Sequence, residues 1–272
     1  MTILRDQEVE LLKTDFLEIY GYDFTGYSHA SFKRRLERLY LMNKYDGFED
    51  FRHHLKEDPS YFQFAVGEIS VNVTEMFRDP SFYKTIREKV IPVLATYPLI
   101  RVWHAGCATG EEVYSMAILL HEANLLHKSL LYATDISTEV LEKARSGVFA
   151  STYMQLYSRN YHAAGGTGDF SSYYTSNYNF VKFQDSLSKR MVFAGHNLVS
   201  DSSFNSFQLI LCRNVLIYFE KDLQSKVLTL FDKSLEQLGF LGLGAKESLR
   251  FSSIAPFYKQ LEGREKIWRK MP

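Results

Sequence analysis

The chain has 272 residues, of which 46% are hydrophobic and 24% are charged. These values are typical of a globular protein, and the length allows one large domain or two smaller ones. Lys and Arg total 32, as do Asp and Glu. The resulting net charge of zero disfavours a partner held mainly by long-range charge, such as nucleic acid or an anionic membrane.

Other counts exclude further classes. The two cysteines, Cys107 and Cys212, are too few for a disulfide framework or a cysteine-built zinc site. No apolar run reaches the roughly 18 residues of a membrane span. Residues 1–10 lack the apolar region of a signal peptide. We therefore expect a cytoplasmic protein without membrane insertion.

The first 70 residues have apolar side chains at helical spacing, such as Phe32, Leu36 and Leu39. The pattern predicts four short helices with short loops, the third over residues 47–56 and the fourth over residues 59–70. We predict a small helical bundle over residues 1–70, followed by a linker over residues 71–80.

After Pro80 the pattern changes to alternating helices and strands. Helices are predicted over residues 82–94, 111–124, 137–145 and 223–238. Strands are predicted over residues 99–105, 130–134, 191–194, 207–212 and 240–245, with an antiparallel pair within residues 251–271. Such alternation implies parallel strands with crossover helices. We predict a doubly wound α/β sheet over residues 81–272, with a β-rich insertion at residues 149–189.

A tight loop of small residues follows the first predicted strand, with Gly106 and Gly110 in it. Such a loop lets backbone approach a ligand at the carboxyl end of a strand. The glycine spacing differs from the G-x-G-x-x-G of dinucleotide sites. Glu111 and Glu112 follow at once and would repel a phosphate. The loop favours a phosphate-free nucleoside with a cationic end, although an ordinary turn with a charged helix cap is the alternative.

The next strand ends on Asp135, a position where a carboxylate can accept hydrogen bonds from two ribose hydroxyls. The alternative is a cap for the helix that begins near Ser137. Asn197 and Leu198 follow a later strand and could contact an adenine edge. Together with the glycine loop, these residues favour a nucleoside site.

Two further segments contain candidate residues. Arg78 lies between the bundle and the sheet, and could bind a carboxylate in bidentate fashion or serve as a surface ion pair in a linker. Arg213 and Asn214 follow the strand over residues 207–212, and so belong at the same sheet edge as Asp135. Tyr218 comes four residues later, where its hydroxyl could orient a substrate and its ring could contact a sulfonium. A core tyrosine beside a solvated arginine is the alternative.

Taken in order, these segments form a specific set. The set comprises Asn72, Thr74, Phe77, Arg78 and Asp79; Arg101, Val102, Trp103, Ala105 and Cys107; Thr109, Gly110, Glu111, Glu112, Tyr114 and Ser115; and residues 133–136, 140–147, 196–198 and 212–219. It resembles the CheR family, the chemotaxis receptor glutamate methyltransferases, which use S-adenosylmethionine. The resemblance extends over nearly the whole chain. It implies a Rossmann-like methyltransferase domain, that cofactor, no metal, and transfer of a methyl group to receptor glutamates.

The resemblance also implies a role for each candidate. Tyr218 and Arg78 are the expected catalytic residues, with Tyr218 beside the methyl group or the incoming glutamate. Glu112 would hold the methionine amino group, and Asp135 the ribose. The remaining expected cofactor contacts are Asn72, Thr74, Gly106, Asn197, Leu198, Arg213 and Asn214, with Arg78 among them.

The implied partners are the acidic methylation helices of chemoreceptors in the cytoplasm. A basic stretch on the second helix could dock them, although a solvated helix face is the alternative. It comprises Lys33, Arg34, Arg35 and Arg38. The family's signature for docking a receptor's C-terminal pentapeptide tether is incomplete, because Asp169-Phe170 follows Gly168 where Pro-His is expected. The family's Gly-His-Ser-Glu near the last strand becomes residues 244–247, with Lys246 in place of the serine.

Two other functions are compatible with the sequence. A non-catalytic adaptor would keep the fold, but the retained Glu112, Asp135, Asn214 and Tyr218 argue against it. A methyltransferase for another carboxyl-bearing protein cannot be separated from the main hypothesis by sequence. A nucleic-acid methyltransferase is disfavoured by the zero net charge and by the lack of a Pro-Pro-Tyr or Pro-Cys motif near Arg213.

Overall fold

The structure is a computed structural model in which residues 4–70, 72–261 and 263–272 are described. Its first part consists of four helices, which confirms the predicted bundle of helices. They are α1 (Asp6–Tyr20), α2 (His29–Met42), α3 (Phe48–Glu57) and α4 (Pro59–Ile69).

The bundle is held by aromatic packing and by a well-formed helix start. Phe16 and Phe62 are fully buried and meet edge to face, with ring centroids 5.1 Å apart. Helix α4 begins with Pro59, and the Asp58 carboxylate accepts hydrogen bonds from the backbone N–H groups of Ser60 and Tyr61 at 2.8 and 3.0 Å. These contacts satisfy donors that the first helical turn leaves unpaired.

The second part is a seven-stranded sheet flanked by helices. Its strands are β1 (Ile100–Ala105), β2 (Ser129–Asp135), β6 (Met191–Gly195), β7 (Phe207–Cys212), β8 (Leu235–Leu243), β9 (Tyr258–Gln260) and β10 (Ile267–Lys270). The order across the sheet is β6-β2-β1-β7-β8-β10-β9, and only the last two pairings are antiparallel. Because successive strands are added on opposite sides of β1, the direction of winding reverses between β1 and β7, where ligands bind in such sheets.

The flanking helices follow the predicted alternation. They are α5 (Pro80–Thr85), α6 (Ile91–Leu94), α7 (Glu111–Glu122), α8 (Thr138–Ser146) and α11 (Lys221–Ser234). The helix predicted over residues 82–94 contains a π-helical turn, Ile86–Val90, between α5 and α6. The helix predicted over residues 223–238 is too long, since it ends at Ser234 and strand β8 begins at Leu235. Leu238 has φ 64°, which a right-handed helix cannot contain.

A small separate sheet lies within the segment predicted as an insertion. It comprises β3 (Val148–Ala150), β4 (Tyr174–Asn177) and β5 (Phe180–Phe183), paired antiparallel, and two helices, α9 (Met154–Ala163) and α10 (Asp185–Ser188), lie in the same region. Tyr178 lies in the turn between β4 and β5, with φ 51° and 97% exposure. The mixed α/β fold with a helical bundle and a β-rich element is therefore confirmed. Within the described ranges, no helix is long and apolar enough to cross a bilayer.

We predict that Thr134→Val destabilises the sheet domain. Trp103 is fully buried in the centre of the sheet, and its Nε1 donates a 2.8 Å hydrogen bond to Thr134 Oγ1. The nearly isosteric valine leaves that indole N–H buried without an acceptor, which costs about 1–3 kcal/mol in the free energy of unfolding. Denaturant unfolding measures this loss. The same change at the exposed strand residue Thr175 should have almost no effect, and equal stability of both variants would contradict the prediction.

Candidate functional site

The carboxyl ends of β1, β2 and β7 surround a cavity, here called the first cavity. Seven sequence candidates line it: Asn72, Gly106, Asp135, Asn197, Leu198, Asn214 and Tyr218. Its other walls are largely apolar and include Ile69, Ile136, Val215 and Phe219, so a flat apolar ring system fits there.

A second cavity adjoins the first and shares the wall formed by Gly106, Ala108, Asn214 and Val215. The remaining candidates line it: Thr74, Arg78, Glu112 and Arg213. Where the first cavity is mostly apolar, the second is rich in charge. The predicted cofactor and catalytic residues thus all lie on one continuous bipartite site.

The glycine loop after β1 is fixed by backbone contacts. The N–H groups of Gly106 and Cys107 both donate to the carbonyl of Thr134 at the end of β2, at 2.8 and 2.9 Å. Gly106 has φ 75°, and a Cβ there would lie 2.6 Å from Val215 Cγ2. Glycine is required at this position because both the backbone conformation and the space exclude a side chain.

Asp135 is oriented by the two loops beside it. Its Oδ2 accepts from the N–H of Ala108 at 2.9 Å, and its Oδ1 accepts from the N–H of Ser137 at 3.1 Å. Each carboxylate oxygen keeps a lone pair for a ligand hydroxyl. Burial raises the pKa of Asp135 above its ordinary value. Ser137 occupies the N-cap position of α8, but its hydroxyl makes no capping bond.

The adjacent carboxylates of α7 point in different directions. Glu111 lies away from both cavities and accepts hydrogen bonds from Thr109 Oγ1 at 2.7 Å and from the Tyr157 hydroxyl at 3.4 Å. Burial raises the pKa of this carboxyl. Glu112 instead lines the second cavity, with its side chain 15% exposed. Only Glu112 is therefore available to a bound cation.

Glu112 is held in its charged form. His104, which is fully buried on β1, places its Nδ1 2.9 Å from Glu112 Oε1, and Arg213 Nη1 lies 3.5 Å from Glu112 Oε2. Burial opposes the charge, but the contacts with His104 and Arg213 outweigh it and lower the pKa of Glu112. A carboxylate that stays ionised can bind an ammonium group across the neutral pH range.

Arg213 has its own structural contacts. Its side chain is 3% exposed, and Nη2 donates to the carbonyl of Arg78 at 2.8 Å and to Asp79 Oδ2 at 2.7 Å. Its guanidinium also lies 4.2 Å from the Phe82 ring centroid. Arg213 thus ties the linker before α5 to the end of β7. Arg78 donates from Nη1 to the carbonyl of Val73 at 3.0 Å and lines the second cavity.

Asn214 lies on the wall between the cavities in a left-handed conformation, with φ 63°. Its Oδ1 is buried and has no hydrogen-bond partner among the described residues. A buried acceptor without a donor is costly, so a ligand N–H group in this site would satisfy it. This orphaned oxygen, the Asp135 carboxylate and the Glu112 carboxylate together fit a nucleoside with a cationic amino-acid end.

Two residues of the site were missed by sequence analysis. Tyr27, in the loop before α2, lines the first cavity and stacks edge to face on Phe219 with centroids 4.9 Å apart. The neighbouring Ser28 N–H donates to the carbonyl of Tyr218 at 2.8 Å. The helical bundle therefore forms a wall of the site. His104 is the second residue. It lies between Trp103 and Ala105 in the predicted strand, and nothing in this local sequence indicates its contact with Glu112.

The four basic residues of α2 do not share one environment. Lys33 Nζ lies 2.6 Å from Asp6 Oδ1, and Arg38 Nη2 lies 3.6 Å from Glu68 Oε2. Arg34 and Arg38 are exposed one helical turn apart, whereas Arg35 is half-buried. Among the residues that the structure describes, no three His, Cys, Asp or Glu side chains are grouped to hold a metal ion.

Comparison with known proteins identifies the family. Residues 7–70 match the family described as CheR methyltransferase, all-alpha domain, and residues 72–266 match CheR methyltransferase, SAM binding domain. A putative methyltransferase Cher3 of Pseudomonas putida is 43% identical over 275 residues, which cover 99% of this chain and 100% of the relative.

More distant relatives have chemotaxis names. A chemotaxis protein methyltransferase of Listeria innocua is 29% identical over 231 residues, covering 84% of this chain and 85% of the relative. The chemotaxis protein methyltransferase 1 of Vibrio cholerae is 33% identical over 197 residues, covering 68% of each chain. The chain therefore belongs to the CheR family of S-adenosylmethionine-binding methyltransferases.

Proposed function

We propose that this protein transfers a methyl group from S-adenosylmethionine to glutamate side chains of chemoreceptors in the cytoplasm, which gives glutamyl methyl esters during chemotactic adaptation. The main support is the bipartite site, in which an apolar cavity with a buried carboxylate adjoins a charged cavity with an ionised one. The chemotaxis names of the relatives support the choice of substrate.

The proposed roles follow the chemistry of each part of the cofactor. Asp135 accepts hydrogen bonds from the ribose hydroxyls through the lone pairs that Ala108 and Ser137 leave free. Asn197 and Leu198 contact the adenine in the first cavity. The methionine ammonium binds Glu112 and donates to the orphaned Asn214 Oδ1 in the shared wall.

The transfer needs little further chemistry from the protein. S-adenosylmethionine supplies an electrophilic methyl group on a sulfonium. A glutamate side chain has an ordinary pKa near 4.3, so the nucleophile is already an anion at neutral pH and no general base is required. The protein aligns the substrate oxygen with the methyl carbon and excludes water. We assign Tyr218 to this alignment and Arg78 to attraction of the incoming carboxylate.

The proposed partner surface is the exposed part of the basic stretch on α2. Arg34 and Arg38 lie one turn apart on the helix whose first turn adjoins Tyr218. An acidic receptor helix that binds these guanidinium groups would lie beside the methyl-transfer end of the site. Lys33 is paired with Asp6 and Arg35 is half-buried, so these two residues are less available to a partner than Arg34 and Arg38.

A direct assay tests the proposal. The protein is incubated with labelled S-adenosylmethionine and chemoreceptor-bearing membranes, and base-labile methanol is counted. Label on a receptor band supports a glutamyl methyl ester. Absence of label with normal S-adenosylhomocysteine binding would contradict the chemoreceptor substrate, and absence of both would favour an adaptor.

We predict that Asp135→Asn weakens S-adenosylhomocysteine binding by about 1–3 kcal/mol, because the ribose loses a charged acceptor. Isothermal titration calorimetry measures the change. Asp169→Asn is the matched control, since the Asp169 carboxylate also accepts a backbone N–H, from Ser171 at 2.9 Å, but lies in the insertion. Unchanged affinity of the Asp135 variant would contradict the ribose assignment.

We predict that Tyr218→Phe lowers kcat for methyl transfer by about tenfold, because a lost alignment contact worth about 1.4 kcal/mol acts on the transition state. The affinity for S-adenosylhomocysteine should change less. Tyr178→Phe, at the exposed turn of the small sheet, should leave both values unchanged. A larger effect on affinity than on kcat would assign Tyr218 to binding instead.

We predict that the double change Arg34→Glu and Arg38→Glu raises the KM for receptor at low salt and leaves S-adenosylhomocysteine affinity unchanged. The physical reason is repulsion of an acidic helix, which added salt screens. The control is Lys233→Glu with Lys259→Glu, an equal charge change at two exposed residues elsewhere. If both double variants raised the KM for receptor equally, the interaction would depend only on the net charge of the protein. That result would contradict a specific docking surface on α2.

A further inference from the structure

Glu247 is a buried carboxylate that joins two loops of the site. It follows β8, and its side chain points back toward the end of β7, with the residue only 5% exposed. Oε2 accepts from the backbone N–H groups of Gly244 at 2.6 Å and Asn214 at 3.0 Å, and Oε1 accepts from that of Ile217 at 3.3 Å. Three backbone donors on two separate loops thus share one side chain.

The packing around this carboxylate is close. Gly244 has no room for a side chain, because a Cβ there would lie 2.8 Å from the Asn214 nitrogen and 2.8 Å from Glu247 Oε2. Burial raises the pKa of Glu247, although the backbone donors oppose the shift. Such a group is costly to bury unless its hydrogen bonds are made, so the loops and the carboxylate must hold one another in place.

The loop held by Glu247 contains two of the residues that face the cavities. Asn214 needs its left-handed φ of 63° to present its amide to both cavities, and its N–H is one of the bonded donors. Ile217 is the middle residue of the short 3₁₀ turn Leu216–Tyr218. The backbone N–H of Ile217, the residue immediately before Tyr218, is therefore also held by the Glu247 carboxylate.

We propose that Glu247 is a positioning residue for methyl transfer: its carboxylate sets the backbone of the loop that presents Asn214 and Tyr218. This inference rests on the proposed function. Glu247 touches neither cavity, so it acts only through the loop. The effect of a Glu247 substitution on kcat should therefore depend on whether the Tyr218 hydroxyl is present. A general loss of stability would lower kcat equally with and without that hydroxyl.

The test is a double-mutant cycle between Glu247→Gln and Tyr218→Phe. Glutamine has the same size as glutamate, but its amide NH₂ replaces one of the two carboxylate oxygens. A donor then faces backbone N–H groups that need an acceptor. We expect Glu247→Gln to lower kcat about tenfold, with little change in the KM for receptor. In the Tyr218→Phe background the same change should lower kcat by less than about threefold, because coupled residues are not additive. Glu236→Gln, at a half-buried β8 carboxylate that lies 3.7 Å from Arg101 Nη1 and far from the cavities, is the control with unchanged kcat.

Independent effects of the two changes, or an equal loss in the Glu236 variant, would overturn the inference. Thermal unfolding of each variant shows whether it is folded at the assay temperature. If Glu247→Gln is unfolded there, Glu247→Asp replaces it in the cycle, because it keeps the charge while shortening the reach.

Failure of the proposed function is recognised separately, because the wild-type protein would then show no receptor methylation. In that event the role of Glu247 is tested by measuring the affinity of each variant for S-adenosylhomocysteine. Glu247→Gln should weaken binding several-fold through the displaced Asn214, and unchanged affinity would overturn it.

Discussion

The site depends on buried carboxylates that accept backbone N–H groups where strands end. A parallel sheet brings the carboxyl ends of its strands to one edge, but the loops that follow have unpaired donors. Asp135 accepts such donors from the loop after β1 and from the start of α8. Glu247 does the same for the loop after β7. These two side chains fix the shape of the edge, and the cavities are the space that the fixed loops leave.

The charge distribution follows from this arrangement. Backbone donors engage Asp135 at the largely apolar first cavity, where burial raises the pKa of this carboxyl. Glu112 is stabilised differently, by His104 and Arg213 within the second cavity. The pKa of Asp135 is therefore raised and that of Glu112 lowered from their ordinary values, each by its own surroundings. Arg78 and Arg213 add positive charge to the wall of the second cavity.

Much of this site could be predicted from local sequence, because strand ends and glycine loops have local signatures. Gly106, Asp135 and Asn214 are each recognisable from the strand that precedes them. The contributions of Tyr27 and Glu247 could not be found in this way, because each depends on contacts between segments that are distant in sequence. The different directions of Glu111 and Glu112 likewise depend on which neighbour each helix face meets. The early end of α11 lies at Leu235, whose backbone is already extended, and no apolar periodicity indicates it.

The hydrogen bond between Ser28 and Tyr218 fixes the start of α2 beside the part of the site that contains Tyr218. An α-helix rises 1.5 Å per residue, so Arg34 lies about 9 Å and Arg38 about 15 Å along the axis from that bond. If a partner helix docks on α2 as proposed, its position along α2 sets its distance from Tyr218. A helical substrate that pairs its acidic residues with these two arginines presents to the site the side chain that lies at the matching distance. If the substrate helix shifted by one turn, it would present to the site a residue about 5.4 Å further along its axis. The glutamate that reaches the site would then be selected by its distance from the paired acidic residues as well as by their charge.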